Sequence, residues 1–289
     1  MRSRFDPAWL DAQYNNRALV PDHAAYFERW GRASALAREG SAGAQLDLAY
    51  GSADGETLDL FPPSASAGGP APVLVFIHGG YWRALDKSDF SFVAPALNAA
   101  GALVVVPNYA LCPAVTVEHI TLQMVAALAW TWRNAARFGG DASRIVVAGH
   151  SAGGHAAAMM VSCRWKQVAA DLPAQLVRAG LAISGLYDLE PLRHTPFLQP
   201  DLRLTAASVA RLSPAFFPRP RAAPLVAVAG ADESEEFQRQ NRLIRDVWGP
   251  TAVPVCETLP EANHLSILTS LADPAGRLHD FALRLLGLR

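Results

Sequence analysis

The sequence predicts an α/β fold: a mostly parallel central sheet with helices on both faces. Three observations predict it. From residue 73 to the C-terminus, short apolar runs rich in β-branched residues alternate with helix-length segments, the rhythm of strands joined by crossover helices. The run Val73-Leu74-Val75-Phe76-Ile77 is continuously apolar, as a strand covered on both faces is. Lastly, Ile145-Val146-Val147-Ala148 breaks into Gly149-His150-Ser151-Ala152-Gly153-Gly154, which reads as a strand, a tight turn and the start of a helix.

Taken in order, residues 7–38 read as helical and aromatic-rich, with Trp9, Tyr14, Tyr26, Phe27 and Trp30 among charged residues and a start signal at Pro21-Asp22. They precede the first strand, so residues 1–44 are an extension to the core fold, either a packing arm or a partial cap. Alternating patterns at 45–50 and 57–61 flank a turn at 51–55 and read as a hairpin. The Pro/Gly/Ser/Ala stretch 62–72 reads as a surface loop. After the strand at 73–77 come a helix at 88–100, a strand at 103–106, a helix at 116–138 and the strand at 145–148. The helix after Ser151 leads to a strand at 180–184. A strand at 225–229, a helix at 235–247, a strand at 253–258 and a helix at 277–286 complete the series. One interval breaks the rhythm: residues 185–223, rich in Pro, Leu and Phe, read as a small lid with a short helix near 202–212. The whole of 1–289 is expected to be a single domain.

Composition narrows the classes of function. Hydrophobic residues make up 51% of 289, the formal charge is −1, and no block of like charges occurs, which argues against nucleic acid and anionic membranes as partners. Cys112, Cys163 and Cys256 show no CxxC spacing, which suggests reduced thiols. No apolar run approaches the length of a membrane span, and residues 1–7 lack a signal-peptide pattern. A cytoplasmic protein acting on a small molecule is expected; a homodimer stays open. No HExxH or clustered His/Asp spacing appears, so no metal and no cofactor are expected.

The chemistry centres on Ser151. Glycines two positions to either side suit a nucleophile elbow, where the serine backbone is strained and nearby side chains would clash. A serine hydroxyl needs an imidazole to remove its proton, and the imidazole needs a carboxylate to hold its tautomer. His264 falls just after the last strand, where the histidine of such a triad sits in the chain order Ser, acid, His. His150 and His155 lie too close to Ser151 along the chain to face its hydroxyl easily. His23, His119, His194 and His279 follow no core strand. For the acid, Gly230-Ala231-Asp232-Glu233 offers two adjacent carboxylates. Glu233 stands third after the glycine that ends its strand, the usual place in such a fold. Asp232 is the commoner residue type but lies one step early, and Asp188, after the preceding strand, is a third candidate with an N-cap as its plain explanation. The segment His78-Gly79-Gly80-Tyr81-Trp82 follows the buried strand; its glycines let backbone N–H groups, with that of Ala152, face a substrate oxyanion.

These motifs, with Pro107-Asn108-Tyr109-Ala110-Leu111-Cys112-Pro113 between them, resemble the α/β-hydrolase superfamily. More narrowly they are similar to its kynurenine formamidase (arylformamidase) branch, near the hormone-sensitive-lipase-like esterases, where HGG-aromatic-Trp stands in place of HGGG. The segment Glu233–Gln240 also resembles the acid-bearing segment of the formamidases, which favours Glu233 over Asp232, although the animal enzymes mostly use Asp. Tyr14-Asn15-Asn16-Arg17 extends the resemblance into the N-terminal extension. The resemblance implies Ser151 as nucleophile, His264 as base, Glu233 as acid, and the N–H groups of Gly80, Tyr81 and Ala152 as oxyanion hole. It implies a cofactor-independent serine hydrolase of small aryl formamides or esters, with N-formyl-L-kynurenine as the leading substrate. The aryl group would rest on Tyr81, Trp82 and lid residues such as Phe197. A general short-chain carboxylesterase is the alternative, and a non-catalytic binding protein of the same fold a remote one.

Overall fold

In the computed structural model, which describes residues 4–53, 55–64 and 69–289, one sheet carries eight strands in the order β1-β2-β4-β3-β5-β6-β7-β8. They are β1 (Gln45–Ala49), β2 (Thr57–Phe61), β3 (Ala71–Ile77), β4 (Leu103–Pro107), β5 (Gly140–His150), β6 (Val177–Ile183), β7 (Leu225–Gly230) and β8 (Val255–Leu259). From β4 to β8 every neighbouring pair is parallel; β1 and β2 form an antiparallel hairpin joined antiparallel to β4. A bulge at the sheet edge puts Asp47 at φ 56°. Residues 1–3, Asp54 of the hairpin turn and 65–68 of the loop at 62–72 lie outside the described residues.

The continuous apolar runs divide by pleat. In β3, Val73, Val75 and Ile77 face one apolar layer while Leu74 and Phe76 face the other; β5 splits in the same way, Ile145 and Val147 against Val146 and Ala148. All are at most 1% exposed, so the two-residue period is hidden in the sequence only because both faces are covered. The helices of eight or more residues are α1 (Pro7–Tyr14), α2 (His23–Gly40), α3 (Val117–Asn134), α4 (Ala152–Ser162), α5 (Glu235–Ala252) and α6 (Arg277–Leu286). Helices α1, α3, α4 and α5 contribute to the first layer, α2 and α6 to the second. No helix among the described residues is long and apolar enough to cross a membrane.

Three elements differ from the sequence expectation. The helix expected at 88–100 is two short 3-10 turns followed by Ala94–Ala99. Phe90 leaves helical geometry at φ −121° and packs its ring on Phe76, His78 and Trp30, so burial overrides local propensity. Helix α5 runs past residue 247 to Ala252 across a kink at Gly249 (φ 78°) just before Pro250. In the lid, Arg203 at φ 47° separates Gln199–Leu202 from Ala206–Leu212, whose start is closed by a capping box at Thr205 and Ser208.

The extension is helical as expected but broken into α1, a turn of helix at Asn16–Leu19, and α2. Asp6 caps α1 by accepting from the Trp9 N–H at 2.8 Å, with Pro7 in the first turn. Asn15 ends α1 and caps the next turn, accepting from the Ala18 N–H.

Candidate active site

Ser151 sits between β5 and α4 with φ 57° and ψ −115°, a backbone conformation that costs energy in any residue with a side chain. Its surroundings explain the small residues. A Cβ on Gly149 would stand 2.1 Å from the Gly153 carbonyl oxygen, and one on Gly153 only 1.9 Å from that of Ile77. The Ser151 N–H donates to Ile183 O at 2.8 Å, which ties the elbow to β6.

His264 lies in the loop after β8, and its Nδ1 stands 2.7 Å from Glu233 Oε2. The other oxygen, Glu233 Oε1, accepts from Ser184 Oγ at 2.5 Å and from the Gly230 N–H at 2.6 Å. Both side chains are nearly fully buried, so the carboxylate is held by charge-assisted bonds in a site poor in water. Asp232 is exposed. Asp188 is buried but is engaged by Arg4 and Arg239 and accepts from the Glu190 N–H that opens a short helix. Of the three candidate carboxylates, Glu233 is the one the fold brings to His264.

The His264 ring lies between Phe237 and His150, with centroids 4.5 and 4.6 Å away. His150 Nε2–H donates to the His264 carbonyl at 2.8 Å. Burial, and then the nearby His264, hold the His150 imidazole well below its ordinary pKa. His150 is thus a neutral prop for the loop that carries His264. His155 is enclosed in the core and donates from Nε2 to Leu212 O.

The loop after β3 presses on the elbow: a Cβ at Gly79 would meet His150 O at 2.9 Å and Ser151 Cβ at 3.2 Å. Gly80 has φ 109°, and its added Cβ would lie 2.1 Å from Ala84 O. Tyr81 and Trp82 follow at φ 50° and 56°. The Tyr109 ring stacks on His78 at 4.1 Å, and its hydroxyl donates to the carbonyls of His78 and Gly79. The Pro107–Pro113 segment therefore supports this loop from behind. Among the described residues, no backbone carbonyl accepts from the N–H groups of Gly80, Tyr81 or Ala152.

A cavity of about 480 Å³ is lined by Ser151, His264, His150, Gly80 and Tyr81. The extension adds Asn15, Asn16, Arg17, Phe27 and Trp30 to its wall, and the lid adds Phe197 and Asp201. Tyr81 Oη donates to Tyr14 O at 2.7 Å and accepts from Asn16 Nδ2 at 3.4 Å. Its ring meets Phe197 edge-on. Arg83 pairs with Asp201 and donates to Phe197 O. The sequence grouped Trp82 with Tyr81 as an aryl rest, but Trp82 is 2% exposed, outside the cavity wall, with its ring edge-on to His155. The successive positive φ angles send the two neighbouring aromatics to different places. Sequence reasoning gave no role in the site to Ser184, which follows β6, to His150, which it weighed only as a base, or to Arg17, which it met only within the Tyr14–Arg17 motif.

The family model BD-FAE matches residues 58–180. The chain is 29% identical over 248 residues to the kynurenine formamidase of Danio rerio, covering 84% of this chain and 82% of that protein. It is 30% identical over 210 residues to that of Drosophila melanogaster, covering 70% and 69%. Among solved structures, a proposed thioesterase of Silicibacter sp. TM1040 superposes with a TM-score of 0.81 at 32% identity, covering 93% of this chain and 97% of that one. Fold, site geometry and relatives agree: this chain belongs to the α/β-hydrolase superfamily, in its kynurenine formamidase branch near the hormone-sensitive-lipase-like esterases, and is a hydrolase of the formamidase or esterase type.

Proposed function

We propose that the protein is a serine hydrolase that cleaves small aryl formamides through an acyl-enzyme on Ser151, with N-formyl-L-kynurenine as its substrate. The observation that carries this reading is that His264, which lines the same cavity as Ser151, has its Nδ1 2.7 Å from a buried Glu233 behind it. With Nδ1 engaged, Nε2 is the nitrogen left to take the Ser151 proton as Oγ attacks the formyl carbon. The N–H groups of Gly80, Tyr81 and Ala152 receive the negative charge that develops on the carbonyl oxygen. His264 then returns the proton to the departing aryl amine. Water, activated by the same imidazole, hydrolyses the formyl ester and frees Ser151. Tyr81 and Phe197 give the aryl group an apolar rest. The three cysteines are unbridged, which suits work in the reducing cytoplasm.

General short-chain carboxylesterase activity is the second reading, favoured by a cavity larger than a formyl group requires. Rates on N-formyl-L-kynurenine, phenyl acetate and longer acyl esters separate the two. Fast ester cleavage without turnover of the formamide ends the formamidase reading and leaves the esterase. Under either reading Ser151→Ala abolishes turnover. Glu233→Gln lowers kcat by about 10⁴-fold, as loss of the orienting carboxylate does in other triads, whereas Asp232→Asn leaves it near the wild-type value. The reverse order would move the acid to Asp232.

A further inference from the structure

We infer that Arg17 makes this site selective for aryl substrates that carry a carboxylate, a reading that rests on Ser151 as the nucleophile of the same cavity. The charges on the cavity wall are unequal. Arg83 is neutralised by Asp201, His264 is set against Glu233, and burial keeps His150 uncharged. Arg17 has no ion pair or side-chain hydrogen bond among the described residues. Arg17 is exposed to solvent at the cavity wall, so the described lining presents one positive charge without an ion pair, at its solvent-facing edge.

The way Arg17 is held leaves that charge usable. Its guanidinium carbon stands 5.6 Å from the centroid of the Phe27 ring, which itself lines the cavity and packs against Trp30. A cation–π contact uses no N–H of the guanidinium on a hydrogen-bond acceptor, so its N–H fork stays available for two parallel bonds to a carboxylate. The segment is anchored next door, where Asn16 Nδ2 donates to the hydroxyl of Tyr81 on the oxyanion loop. Phe27, Trp30, Tyr81 and Phe197 make the remaining wall largely aromatic, the surface on which an aryl group rests. An aromatic wall beside a single unpaired guanidinium describes a substrate with an aromatic body and a remote carboxylate, its acyl group turned to Ser151.

The test compares matched substrates: N-formyl-L-kynurenine against its carboxamide, and a phenyl acetate bearing a propionate side chain against the same ester bearing a propionamide. The readout is the ratio of kcat/KM, charged over neutral, within each pair. Wild type favours the charged member. Arg17→Ala lowers the ratio at least about tenfold, the scale of one lost charge-assisted contact, mainly through KM, and Arg17→Lys restores part of it. An unchanged ratio, whether both members fall together or neither does, overturns the inference. If neither formamide is cleaved while the esters are, the formamidase reading fails and the ester pair alone decides the role of Arg17.

Discussion

At Gly153 an added methyl group would overlap the Ile77 carbonyl, 1.9 Å away, and Ile77 is the last residue before the loop that carries Gly79 and Gly80. Neither backbone can yield without moving a strand end. Gly153→Ala is expected to destabilise the fold by about 3 kcal/mol, the upper part of the range for overpacking, and to lower hydrolytic activity by displacing the elbow. Urea denaturation with an ester assay on the same variant checks both. This requirement was legible in the sequence because it is local: two glycines around a serine between a strand and a helix. For the proposed acid, spacing favoured Glu233 but left Asp232 and Asp188 open. Asp232 and Glu233 are neighbours on one loop, and what separates them is the Gly230 N–H together with a hydroxyl delivered by β6, from Ser184. Trp82 failed for a related reason, since the direction of two adjacent aromatics depends on backbone angles that their identities do not reveal.

Among the elements, the N-terminal extension was readable as helix but not in its destination. Tyr14, at the end of α1, donates to Glu236 Oε2 at 2.6 Å and accepts from Gln240 Nε2 at 3.2 Å, both on α5. Arg239 holds the same Glu236 through two contacts. These bonds dock α1 on α5 and set the height of Asn15, Asn16 and Arg17 on the cavity wall. No periodicity in residues 7–38 points to a partner more than two hundred positions away. Tyr14→Phe leaves Glu236 its arginine but removes one buried donor, and is expected to cost about 1–2 kcal/mol. Thermal unfolding measures that loss, and a rise in KM reports the shift of the wall. The result that counts against this docking role is a variant as stable as wild type.

For the whole molecule, the alternation of strands and helices disclosed the parallel sheet, while the order of its strands, with β3 between β4 and β5, had no signature in sequence. Three deeply buried histidines, His78, His150 and His155, make the fold's stability depend on pH. Burial lowers the pKa of His150 well below its ordinary value and that of His155 to about 4 from 6.5. For His155 the reason is geometric: Nε2–H is bonded to Leu212 O, and Nδ1 is buried without a partner among the described residues, so a second proton has nowhere to bond. Well above pH 6.5 these rings are neutral in both folded and unfolded chains. As pH falls below 6.5 the unfolded chain takes up protons that the folded one refuses, so stability declines, and for His155 the decline continues to about pH 4. Each such histidine contributes a slope of at most about 1.4 kcal/mol per pH unit. His155→Gln keeps a donor for Leu212 O and is expected to flatten the loss between pH 6.5 and 5, as chemical denaturation at a series of pH values checks. An unchanged slope would assign the acid sensitivity elsewhere.

The bond between Tyr14 and Glu236 spans 222 residues, which gives the site a timetable. During synthesis Tyr14 leaves the ribosome long before its partners exist, by roughly ten to forty seconds at about 5–20 residues per second. Through that interval the strand carrying Ser151 can form while the cavity lacks both the wall that α1 positions and the histidine at 264. Under the proposed serine mechanism the nascent chain thus carries Ser151 before its base, and hydrolytic activity is expected only in molecules whose C-terminal part has already folded.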